Sequence, residues 1–159
     1  MSIYKITFSP TGGTQKVVDR LAKTFAGDVQ EIDLTSPTTD YAVYSFHADD
    51  ICFVAVPSFG GRVPAPAVSR LASMTAHGAK AVLAVVYGNR AYEDTLLELH
   101  GILVKAGFRC VAAVAAVAEH SIMHQFASGR PNQEDLDELD QFAGQIKAAI
   151  GKDVFLDAA

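Results

Sequence analysis

The sequence predicts an α/β protein built on a doubly wound parallel sheet. Three observations carry that prediction. Short runs of β-branched and apolar residues alternate with longer segments of helical period along the chain. Two of the runs, residues 51 to 56 and 80 to 87, are apolar almost throughout, as strands covered by helices on both faces must be. The rhythm of strand, helix, strand, weak crossover and then three further strand–helix units suits consecutive right-handed crossovers in one sheet.

Residues 3 to 8 (Ile-Tyr-Lys-Ile-Thr-Phe) read as the first strand. Val17, Val18, Leu21, Ala22 and Phe25 then recur at spacings that place one apolar stripe on a helix, which Gly27 and Asp28 end. Residues 29 to 34 form a half-polar strand suited to a position near a sheet edge. Residues 35 to 49, with Ser36-Pro37-Thr38-Thr39 and scattered aromatics, allow only a short second helix or an irregular crossover. After the buried strand 51 to 56, Pro66 opens a short helix carrying Val68, Leu71 and Ala72. Strand 80 to 87 leads to a helix striped by Leu96, Leu99 and Leu103, and residues 109 to 118 are a last, alanine-rich strand. The final helix begins near Asn132, an N-cap followed by acids in the first turn, and is expected to bury Leu136, Leu139, Phe142, Ile146 and Ile150.

Composition narrows the function. The chain has 159 residues, half of them apolar, enough for a single domain that buries roughly 70% of its unfolded surface without a staple. Its two cysteines, Cys52 and Cys110, fall in buried strands and are too few for a four-cysteine iron–sulfur or zinc site. A net charge of −5 disfavours nucleic acid, whose phosphates need cationic partners. No run approaches the roughly 20 apolar residues of a membrane span, and the start lacks the regions of a signal peptide, so the reading is a soluble, cytoplasmic protein.

In doubly wound sheets, ligands bind beyond the carboxyl ends of the strands where the winding reverses. The loop after the first strand is Ser9-Pro10-Thr11-Gly12-Gly13-Thr14, with three hydroxyls and two glycines ahead of a helix N-terminus. Such a loop can cap its own helix or cradle a phosphate, and its place between strand and amphipathic helix favours the cradle. No lysine precedes Thr14, against a triphosphate loop, and no third glycine completes a dinucleotide fingerprint. A cradle without its own cation suits a permanently held monophosphate such as that of FMN.

At this point the chain resembles the flavodoxin family. Ser9, Thr11, Gly12 and Thr14 satisfy its phosphate-loop pattern Ser/Thr-x-Thr-Gly-x-Thr. Residues 57 to 66, with Pro57, Ser58, Phe59, Gly60, Gly61 and Arg62, look like its first flavin loop, and Gly88, Asn89, Arg90 and Tyr92 look like its second. The Gly-Gly-Arg-Val-Pro stretch and Glu119-His120-Ser121 are most similar to flavodoxin-like domains often fused to ferredoxin modules in anaerobic bacteria. The resemblance implies a three-layer α/β/α sandwich spanning residues 1 to 159, a five-stranded sheet in order 2-1-3-4-5, and one noncovalent FMN.

It also implies roles. Tyr92 would stack on the flavin ring, and Phe59 would either cover the other face or anchor its own loop, since the chain has no tryptophan. In the family, a peptide of the first flavin loop turns over on one-electron reduction to accept from flavin N5–H. Gly60-Gly61 would make that rotation cheap and stabilise a neutral blue semiquinone. Arg62 and Arg90 depart from the acidic flavodoxins; near the ring they would raise the second potential or dock an anionic partner, and otherwise they are solvated loop cations. His120 and His124 hint only weakly at a metal, and the acidic run from Glu134 to Asp140 reads as a solvated helix face.

The functional expectation is an electron-transfer flavoprotein that passes single electrons between redox partners, a reductase or ferredoxin-type donor and an acceptor oxidoreductase. The competing expectation is an FMN-dependent NAD(P)H reductase of a quinone, flavin or other small acceptor. Neither requires nucleic acid or membrane, and either fits a monomer or weak dimer. With the chain ending at Ala159 soon after the last helix, electrons are expected to enter and leave through separate proteins.

Overall fold

The computed structural model of the chain describes residues 2 to 23, 25, 27 to 87, 93 to 117 and 132 to 151. β1 (Ile3–Thr7) leads through a loop to α1 (Gly13–Ala22), then to β2 (Val29–Asp33) and a single 3-10 turn, Tyr41–Val43. β3 (Ile51–Pro57), α2 (Ala65–Ala72), β4 (Lys80–Tyr87), α3 (Glu93–Lys105), β5 (Arg109–Val117) and α4 (Gln133–Gly151) follow. The strands form one parallel sheet in the order β2-β1-β3-β4-β5, as the resemblance implies. Ile3 stands opposite both Val29 and Ile51, so the central strands share one register.

Burial follows the strand patterns. β3 is buried from Ile51 to Val56 and β4 from Ala81 to Val86, whereas β2 at the edge buries only Ile32. Each face of the sheet carries its own core. Ile6, Val54, Leu83, Leu71, Leu99 and Leu103 pack under α2 and α3. Ile3, Phe53, Val82, Val17, Leu21, Leu139 and Ile146 pack under α1 and α4. Each such leucine or isoleucine contributes roughly 1.5 to 3 kcal/mol by leaving water.

The crossover after β2 resolves as the 3-10 turn, capped by Asp40, whose Oδ1 accepts from the Ala42 amide at 3.1 Å. Asn132 caps α4 as expected. Its Oδ1 accepts from the Asp135 amide at 3.0 Å, while Asp135 Oδ2 accepts from the Asn132 amide at 2.9 Å, a reciprocal capping box. Two expectations are corrected. Pro66 is the second residue of α2, not the first, with Pro64 at the N-cap. Phe142 is not core but 36% exposed, because the stripe runs through Leu139, Ala143 and Ile146 and leaves it one position off that face. Among the described residues, no helix is long and apolar enough to cross a membrane, and no group of three or more His, Cys, Asp or Glu could hold a metal.

Candidate functional site

The winding reverses between β1 and β3. From β1 the chain moves outward to β2, and from β3 it moves the other way, to β4 and β5. The loops at the carboxyl ends of these two neighbouring strands are therefore side by side. Phe8, just past β1, meets Phe59, just past β3, edge to face with ring centroids 6.4 Å apart. That contact joins the two loops.

In the first loop, Gly12 sits at φ 93°, a conformation that costs a residue with a Cβ about 1–2 kcal/mol, and serves as the N-cap of α1 without a side-chain bond. The Ser9 hydroxyl accepts from the Gln15 amide at 3.0 Å, and the Lys16 amide donates to the Gly12 carbonyl at 3.1 Å. Ser9 thus acts as a helix cap, the competing reading of the hydroxyl loop, while its own proton can still be donated elsewhere. The amides of Gly13 and Thr14 find no acceptor among the described residues. No acid occupies the first turn of α1, so the positive end of the helix is not neutralised from within. Thr7 Oγ1, buried at the end of β1 where this loop departs, has no hydrogen-bond partner among the described residues. Two open amides, an uncompensated helix end and an orphaned hydroxyl fit an anion with several acceptor oxygens.

The second loop closes on itself. Phe59 and Arg62 exchange both backbone hydrogen bonds, 2.9 Å from the Phe59 amide and 3.0 Å from the Arg62 amide. Between them Gly60 and Gly61 take φ of 58° and 77°. Two positive φ values inside a two-residue hairpin define a type I′ turn, which explains the glycine pair on local grounds. Among the described residues a Cβ built on either glycine meets nothing within 4 Å. Phe59 is half-buried and packs against the core and Phe8.

Both stems of the turn are fastened to neighbours. Ser58 donates its amide to the Val86 carbonyl at 2.9 Å, and its hydroxyl lies 2.7 Å from that of Thr95, which is fully buried on α3. Arg62 is exposed and ion-paired. Its Nε and Nη2 donate to the two carboxylate oxygens of Glu98 at 3.1 and 2.8 Å, and Glu98 Oε1 also accepts from the Val63 amide at 2.8 Å. The hydrogen bond from Arg62 holds the Glu98 carboxyl below its ordinary pKa, and Glu98 raises that of Arg62. Sequence reasoning missed Thr95 and Glu98. The available signal was the spacing of Thr95, Leu99 and Leu103, which puts a hydroxyl on the buried face of α3.

Gly88, Asn89, Arg90 and Tyr92, and the Glu119-His120-Ser121 stretch with His124, lie outside the described residues. Beside the site, a cleft of about 180 Å³ opens at the carboxyl ends of β4 and β5, lined by Tyr87, Val117, Asp135, Glu138 and Phe142 among others. The two cysteines lie within the sheet away from either loop. Burial raises both thiols, that of Cys110 to about 11.

No protein-family model and no curated protein matches the sequence. Solved structures do. A flavodoxin of Streptococcus pneumoniae TIGR4 aligns with a TM-score of 0.62 over 93% of this chain and 99% of its own, at 20% identity. The chain has the flavodoxin-like fold. Flavodoxin 1 of Bacillus cereus in its oxidised form aligns at a TM-score of 0.64 and 16% identity, over 93% of this chain and 98% of that one. A Fusobacterium nucleatum flavodoxin bound to flavin mononucleotide gives 0.59 and 15%, over 92% and 97%. In a flavodoxin-like fold the two loops described above occupy the switch point of the sheet.

Proposed function

We propose that this chain binds one FMN noncovalently at the switch point and works as an electron-transfer protein of the flavodoxin family, passing single electrons between partner oxidoreductases. The observation that carries the reading is the pairing, on adjacent strands, of an anion-ready loop and a glycine turn held at positive φ. The flavodoxin-like fold and the FMN bound by the Fusobacterium structure support the choice of cofactor.

The residues present fit this cofactor. Gly13 and Thr14 amides, the Thr11 hydroxyl and the α1 N-terminus would hold the phosphate, with the αL Gly12 allowing close backbone approach. Pro57 to Arg62 would border the ring, with Phe59 packed on Phe8 at the base of the loop. Gly88, Asn89, Arg90 and Tyr92 are proposed for the opposite side on the resemblance. Bound there, FMN supplies reversible one- and two-electron redox chemistry at its ring. The chain contributes placement, a partly covered ring and control of water access. Its partners are proposed to be soluble redox proteins, and its compartment the cytoplasm.

An anaerobic titration of the purified protein with FMN and then with a stepwise reductant tests the reading. Saturable uptake of one FMN, reduction in two separate one-electron steps and negligible NAD(P)H oxidation are expected. Steady NAD(P)H turnover in two-electron steps would identify a reductase instead. A flavin spectrum unchanged by the protein would overturn both.

A further inference from the structure

Among the described residues a Cβ built on either glycine of the Gly60-Gly61 turn meets nothing within 4 Å, and the hydrogen bonds that hold the turn lie in its stems. The outgoing stem, Arg62 and Val63, is held to α3 by one side chain. Glu98 takes a two-point bond from the Arg62 guanidinium and a third from the Val63 amide. The fork geometry matters because two parallel N–H···O bonds fix orientation as well as distance. Arg62 is 70% exposed on its side chain while Glu98 is 20% exposed, so the carboxylate is the fixed member and the arginine is drawn to it. Val63 beneath is buried in the core under α2 and α3.

The geometry points to Glu98 as a positioning residue for the cofactor, one that sets the height of the glycine turn over the flavin by clamping its outgoing stem to α3. This rests on the reading that the turn borders FMN. Charge and clamping make opposite demands on the variants. If the pair acted only through its charges, Arg62→Lys would behave as the native protein, and Arg62→Ala and Glu98→Gln would shift the flavin midpoint potentials in opposite directions. A clamp requires the fork. Arg62→Lys keeps the charge but loses the planar two-point bond. Arg62→Ala loses the ion pair yet leaves Glu98 on the Val63 amide, and Glu98→Ala loses everything.

The experiment measures FMN dissociation constants by fluorescence quenching and both midpoint potentials for the native chain, Arg62→Lys, Arg62→Ala, Glu98→Gln and Glu98→Ala, each checked for native circular dichroism. Expected is a graded weakening of FMN binding, reaching about fivefold or more in Glu98→Ala. In affinity, Arg62→Lys should fall between native and Arg62→Ala, since it keeps the charge but not the fork. The exposed Arg62 variants keep the test valid should a Glu98 variant fail to fold. A native-like Arg62→Lys, or unchanged affinities throughout, would overturn the clamp while leaving FMN binding intact. No binding of FMN by the native chain would overturn the functional reading and this inference with it.

Discussion

The hydroxyls of Ser58 and Thr95 lie 2.7 Å apart, joining the carboxyl end of β3 to a fully buried position on α3. Thr95→Val keeps the shape and removes that bond. The expected cost is about 1–2 kcal/mol, read as a lower urea midpoint with unchanged slope. A variant as stable as the native chain would show that the bond only replaces one to water.

The glycine turn makes a separate prediction that needs no cofactor. Gly61→Ala meets open space but must hold φ near 77°, so a loss of about 1–2 kcal/mol is expected from backbone strain alone. Gly60→Asn should cost much less, since asparagine accepts the first position of a type I′ turn. Equal losses for the two, measured by thermal unfolding, would mean the turn is not type I′.

Asp50 is buried beside the start of the sheet. Its Oδ1 accepts from the Ser2 amide at 3.0 Å and its Oδ2 from the His47 amide at 2.8 Å, which ties the N-terminus to the crossover before β3. Asp50→Ala leaves both amides without that acceptor, and about 2–3 kcal/mol of stability should be lost. Denaturant unfolding measures it, and a loss well under 1 kcal/mol would show that water replaces the carboxylate.

Both cysteines should be inert in the folded protein. Burial raises the Cys52 thiol far above its ordinary range and that of Cys110 to about 11, so neither is a thiolate at neutral pH. A thiol reagent should label almost nothing under native conditions and both residues in denaturant. Rapid native labelling of either would place it nearer the surface than the sheet does.

Glu98 gives a pH signature. Its pKa is lowered in the folded state, chiefly by the bond from Arg62, so the folded protein releases this proton more readily than the unfolded chain does. The stabilisation is complete above the ordinary carboxyl value of 4.5 and is lost as pH falls through the lower folded value. Melting temperatures of the native chain and Glu98→Gln should differ at neutral pH and converge in acid. A gap that stays constant down to strong acid would assign the difference to packing instead.

Much of the fold was legible because it rests on periodicity. The buried runs 51 to 56 and 80 to 87, the stripe Val17, Val18 and Leu21, and the cap at Asn132 are local patterns that tertiary contacts reinforce. Phe142 was misplaced because periodicity resolves a helix face only to about one residue, and Ala143 beside it fills the core position. The site was half legible. Loop 9 to 14 and the glycine pair announce themselves by composition, but what fastens the glycine turn comes from residues roughly 35 positions further on.

By itself, the sequence determined the alternation of strands and helices, the two-faced burial of the central sheet and the two loops that carry chemistry. Each depends on neighbours a few residues apart, within reach of backbone geometry and side-chain period. Only the tertiary structure decided that Arg62 pairs with Glu98 and that Phe59 lies against Phe8. It also decided that Thr95 and Glu98 fasten the glycine turn. Those partners meet because the order β2-β1-β3-β4-β5 and the packing of α3 bring distant segments within hydrogen-bond range, a proximity no local pattern encodes.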